Sequence, residues 1–141
     1  MLLHLEHERR HVTYARRWVL RQAAEVGIQG EARAVVELLT SELVANALEH
    51  GPAGGIITVH TSDHDGLFHV TVSDAADALP VVGNPPPTAE GGRGMMLVDM
   101  LADSWGTQAL QGGGKAVWFV TRIGEQRPEQ VTPRSMAPAS G

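Results

Sequence analysis

The hydrophobic period of this chain changes at Gly51-Pro52. Before that point apolar residues recur every three or four positions; after it they alternate. A period near 3.6 places side chains on one stripe of a helix, and a period of two places them on one face of a strand. The first third of the chain must therefore be helical and the remainder must contain paired strands.

From about His7 to Val26, Val12, Ala15, Val19 and Ala23 recur at helical spacing with basic residues between them. Gly27 and Gly30 interrupt the pattern. A second helix runs from about Glu31 to His50, with Val36, Leu39, Leu43 and Ala47 as its core stripe, and Gly51-Pro52 stands where a helix stop belongs. Beyond Gly55, Ile57, Val59 and Thr61 share one strand face while Ile56, Thr58 and His60 share the other. Asp63 to Gly66 supply turn residues, and Leu67 to Asp74 alternates again with Phe68, Val70 and Val72 on one side, so the two runs predict a hairpin.

The stretch from Ala75 to Arg93 holds Pro80, Pro85, Pro86 and Pro87 with several glycines, and predicts a long irregular loop of the kind that carries function. A short helix over about Gly94 to Ala102 follows, then a strand near Ser104 to Leu110, a glycine turn at Gly112 to Gly114, and a strand from Lys115 to Ile123. From 124 to 141 there is almost nothing apolar to bury, which predicts a disordered tail. Helices grouped before and between hairpins, not alternating singly with strands, imply an α+β fold: a two-layer α/β sandwich with helices on one face of a mixed, largely antiparallel sheet. The other sheet face needs solvent-compatible side chains or a second copy of the chain.

At 141 residues the chain makes one domain with a core. It contains no cysteine, which removes disulfides, thiolate metal sites and a thiol nucleophile. The N-terminus gains charge by Glu6, no apolar run has signal-peptide or bilayer length, and the expectation is a cytoplasmic protein with no membrane partner. A net charge of −5 gives no basic footprint, so no direct nucleic-acid partner is expected.

Three motifs carry chemistry. Glu42 and Asn46 lie one helical turn apart beside the apolar stripe, where a carboxylate and a carboxamide oxygen can serve one hard cation; the pair equally suits a solvated helix flank. His50, near a helix C-terminus, reads as a dipole partner. Asp74 ends an apolar strand, where its carboxylate can accept a hydrogen bond from the exocyclic amine of a purine or simply begin a turn. In Gly91-Gly92-Arg93-Gly94-Met95, glycines open a helix, and the N–H groups of a helix start favour phosphate. Neither a dinucleotide-binding fingerprint nor a P-loop occurs.

In this order and at these intervals the motifs resemble the N box and the two glycine boxes of the superfamily that unites gyrase, chaperone, histidine-kinase and mismatch-repair ATPases (GHKL). The segments SELVANALEHG, VTVSDA, GGRGMMLVDMLADSWG and GGGKAVWF resemble the small anti-sigma serine/threonine kinases, over about residues 8 to 123. The resemblance implies an ATP-binding domain over 1–123 with ATP and Mg²⁺ as cofactors. It implies Glu42 as general base, Asn46 holding Mg²⁺, Asp74 on the adenine amine, and Gly92 and Gly94 as hinges of a lid over 75–93. Arg93 would contact the phosphates, and Met95 belongs to the same nucleotide-binding segment. It also implies a sigma factor and an anti-anti-sigma antagonist protein as partners, with a homodimer possible.

Three departures stand out. The aspartate box of relatives usually reads Asp-x-Gly-x-Gly, but here Asp74 is followed by Ala75-Ala76-Asp77-Ala78 with no glycine, which predicts weak adenine binding. Lys115-Ala116 stands where relatives often place a threonine that supports adenine, which predicts one missing polar contact. The chain begins so close to its first helix that little room is left for the N-terminal strand of many relatives, and the usual dimer surface falls into doubt. The expectation is an ATP-dependent serine/threonine protein kinase acting on the antagonist. The alternatives are a non-catalytic partner-binding module and the catalytic half of a split histidine kinase.

Overall fold

The computed structural model describes residues 1–6, 8–50, 55–75 and 93–123, with backbone only at His50, Arg93 and Gly94. The expected lid, apart from its end residues, and the expected tail over 124–141 lie outside the described residues. In chain order the elements are β1 (Leu2–Glu6), α1 (His11–Glu25), α2 (Gly30–His50), β2 (Ile56–His64), β3 (Leu67–Asp74), α3 (Arg93–Leu101), β4 (Ser104–Ala109) and β5 (Lys115–Arg122). The strands form one sheet in the order β1-β2-β3-β5-β4, and all four pairings are antiparallel. This is the α+β sandwich expected from the change of period, with the helices layered on one face.

The layers meet along the residues that the two periods select. Ala15, Val19 and Ala23 of α1, and Val36, Leu39, Leu43 and Ala47 of α2, are all buried; Ile57, Val59, Phe68, Val70, Val72, Val117 and Phe119 meet them from the sheet. Burying a valine, leucine, isoleucine or phenylalanine side chain stabilises a fold by about 1.5–3 kcal/mol each, which is ample reason for the alternation to set the register. The β2–β3 hairpin turns at Asp65-Gly66, where both residues have positive φ, as a tight turn of this hand requires. Its strands run further than expected, β2 reaching His64.

The open face of the sheet carries Thr58, His60, Ser62, His69, Thr71 and Ser73, so solvent-compatible side chains cover most of it. Trp118 lies there too, its indole over Gly106 of the neighbouring strand: a Cβ on Gly106 would sit 2.5 Å from the indole.

One expectation is overturned. The N-terminal strand does form: β1 pairs with β2 from Leu2 opposite His60 to Glu6 opposite Ile56, and the terminal ammonium of Met1 donates to the Thr61 carbonyl at 2.9 Å. The reason is geometric. A tight turn over Glu8 to Arg10 lets the chain reverse directly into α1, with the N–H of His11 donating to the Glu8 carbonyl, so no long connection is needed. The ground for doubting a dimer through this edge is thereby removed.

Candidate functional site

The central helix sets the position of everything else. α2 packs on α1 at one flank and α3 at the other, and its underside rests on β3 and β5. Its stripe of Val36, Leu39, Leu43 and Ala47 is fully committed to the core, so Glu42 and Asn46, adjacent to that stripe, emerge half-buried on one flank a turn apart. Partial burial removes water from the Glu42 carboxylate, and this desolvation raises its pKa above the ordinary value. A carboxylate moved toward neutrality is a better match for accepting a proton from a hydroxyl than one that ionises far below working pH.

Asp74 is the last residue of β3 and follows Phe68, Val70 and Val72 on the helix-facing side, which leaves it only 7% exposed. Directly across the ladder stands Lys115, the first residue of β5 and on the same face as Val117 and Phe119. Its Nζ donates to Asp74 Oδ2 at 2.8 Å, and the two side chains retain 1% and 3% of their surface. Burial of either charge alone would be costly, so each supplies the compensation the other requires. The glycine turn fixes this juxtaposition. Gly114 has φ of +94°, and a Cβ there would fall 2.5 Å from the Asp74 carbonyl oxygen, so only glycine lets β5 begin this close to the end of β3.

α3 begins at Arg93, which puts the backbone of Arg93 and Gly94 at a helix start, where N–H groups lack partners within the helix. Met95 is 2% exposed and its side chain belongs to the core, so any part it has in holding a ligand falls to its main chain. Gly92 and the side chain of Arg93 lie outside the described residues.

α2 packs against β3, β5 and α3, and β3 and β5 are paired with each other, so one helix touches every element that carries a candidate residue. The sequence singles out Glu42, Asn46 and Asp74 as candidates and presents Lys115 only as the absence of a threonine. A usable signal was there: alternation from Val117 and Phe119 back to residue 115 turns Lys115 inward, as alternation from Phe68 forward turns Asp74 inward. Two opposite charges facing one core must meet or be excluded.

Among the described residues no group of three or more His, Asp or Glu side chains is assembled to hold a metal. Mg²⁺ commonly takes one or two protein oxygens and completes its shell with phosphates and waters, and the carboxamide oxygen of Asn46 fits that lesser demand. No helix among the described residues is long and apolar enough to cross a membrane.

A family profile described as the histidine kinase-like ATPase domain matches residues 5–121. No curated protein sequence matches the chain. Among solved structures, the fold is similar to that of the RsbU and RsbW domains of Rv1364c from Mycobacterium tuberculosis, with a TM-score of 0.61 and 21% identity over 87% of this chain and 32% of that one. It therefore spans about a third of that protein's length. The mycobacterial sensor histidine kinase MprB is similar with a TM-score of 0.55 and 13% identity, over 86% of this chain and 97% of that chain. A histidine kinase from Burkholderia phymatum has a TM-score of 0.53 and 15% identity, over 89% of this chain and 72% of that chain. At these identities the likeness is one of fold.

Proposed function

This chain belongs to the histidine kinase-like ATPase domain family, and on that premise we propose that it is a regulatory ATP-binding protein kinase, phosphorylating a serine or threonine of a small antagonist protein and binding a sigma factor. The family implies ATP binding. The sigma-factor and antagonist side of the reading is supported by the four anti-sigma-like segments of the sequence, and by the likeness in fold to a protein that contains an RsbW domain.

The observation that carries the catalytic part is Glu42: a half-buried carboxylate, its pKa raised by desolvation, one turn from the Asn46 carboxamide on the helix that packs against β3, β5 and α3. In this reading Asn46 holds Mg²⁺, the backbone at Arg93 and Gly94 faces the phosphates, and Asp74 faces the base. The nucleotide supplies the transferable γ-phosphoryl group, with Mg²⁺ offsetting its charge. Glu42 takes the proton of the attacking hydroxyl as that oxygen bonds to the γ-phosphorus and the bond to the β,γ-bridging oxygen breaks, leaving ADP and a phosphorylated protein. Beyond this proton transfer, the residues act by position and charge.

Incubating the purified protein with labelled ATP and a candidate antagonist tests the reading. Label should reach the antagonist with wild type and fall by about a hundredfold or more with Glu42→Ala, the range for loss of a general base. Equal labelling by the two proteins rejects the base role.

A second reading, a partner-binding module without turnover, is favoured by one observation: Asp74, the carboxylate assigned to the adenine ring, is engaged by a buried lysine. Binding of the partner that is indifferent to Asn46→Ala and to added nucleotide would select it.

A further inference from the structure

The Asp74–Lys115 pair has a consequence for ligand recognition that rests on the nucleotide-site reading above. An exocyclic amine reaching Asp74 must find an acceptor on its carboxylate. In this chain Oδ2 already accepts a bond of 2.8 Å from an ammonium, with both side chains all but sealed from solvent. A charged N–H donor makes a stronger bond to a carboxylate than a neutral amine does, so the ring amine competes from behind. The lysine also cannot drift aside. Its backbone is held opposite Asp74 by the β3–β5 ladder, and the preceding Gly114 is pressed against the Asp74 carbonyl.

We propose that Lys115 is the specificity-determining residue of the base end: its ammonium holds, on Asp74, the position an adenine amine would take, and so weakens recognition of adenine and shifts the burden of binding to the phosphate and metal end. Adenine nucleotides then bind through their phosphates and gain little from the ring. Removing the ammonium returns Asp74 Oδ2 to the base.

The test is calorimetric titration of Mg-ATP and, separately, adenosine into wild type, Lys115→Thr, Lys115→Met and Asn46→Ala. Both Lys115 variants should bind both ligands roughly tenfold tighter or more, about 1.4 kcal/mol for each factor of ten. Adenosine, which has no phosphates, should show the larger relative gain. A folded Lys115 variant that binds no tighter than wild type overturns the proposal. If wild type binds Mg-ATP, loses it on Asn46→Ala and is unmoved by the Lys115 changes, the nucleotide site stands and the role of Lys115 falls. If no folded protein binds either ligand, both fall. Should neither Lys115 variant fold, wild type alone decides: Mg-triphosphate, which has no ring, should bind within about threefold of Mg-ATP, and a roughly tenfold or greater advantage for Mg-ATP overturns the proposal.

Discussion

The two ends of the candidate site use the same ingredients, a carboxylate and a nitrogen-bearing side chain, to opposite effect. On α2, Glu42 and Asn46 stand side by side on a half-buried flank, with the carboxylate raised in pKa by lost water. Where β3 ends and β5 begins, Asp74 and Lys115 face each other across a ladder and satisfy each other in the dry interior. One end is poised for an incoming ligand; the other carries its own. Partner geometry decides this more than residue type does. Neighbours on a helix present their polar groups outward together, whereas cross-strand partners present theirs to each other.

The contrast breaks most sharply at the Asp74–Lys115 pair. Asp74→Asn leaves the Lys115 ammonium buried without its counter-charge, and the loss of stability should be about 3–5 kcal/mol, read as a lowered urea midpoint. A variant within about 1 kcal/mol of wild type would show that the pair is not dry. Next comes Gly114→Ala. A side chain in the left-handed region, overlapping the Asp74 carbonyl, should cost about 1–3 kcal/mol, and thermal melts will show it.

On α2 the stability effects should nearly vanish while binding effects remain. Asn46→Ala is expected to stay within about 0.5 kcal/mol of wild type in denaturant yet to lose Mg-dependent ATP binding in a titration with and without the metal. Glu42→Gln sharpens the comparison by sign alone. Because the folded state raises the pKa of Glu42, the protonated form is the favoured one, and the associated stability is lost as pH rises through the folded pKa. The variant should therefore melt higher than wild type at pH 8, and the gap should close below the ordinary carboxylate range near pH 4.

Most of the layer architecture could be read from the sequence because it depends on local periods. Val36, Leu39, Leu43 and Ala47 select the underside of α2 without reference to any other segment, and Phe68, Val70 and Val72 do the same for β3. What escaped depends on pairings across long separations. β1 is five residues long, too short for alternation to speak for itself, and it exists because β2, more than fifty residues later, supplies an edge for it. The Lys115–Asp74 contact likewise spans 41 positions and needs the β3–β5 register, which no local pattern contains. The candidate site divides in the same way. Glu42 and Asn46 could be paired by helix geometry alone, but the state of Asp74 could not be known before its neighbour across the ladder was known.

The indole seated on Gly106 gives the protein an optical handle. Of its three tryptophans, Trp18 is sealed beneath the helices and Trp105 donates to Asp99 of α3 on the helical side, so Trp118 alone reports from the open surface of the sheet. With the other two changed to phenylalanine, emission from that single ring would register whatever settles on this surface, and would do so independently of events at the nucleotide end.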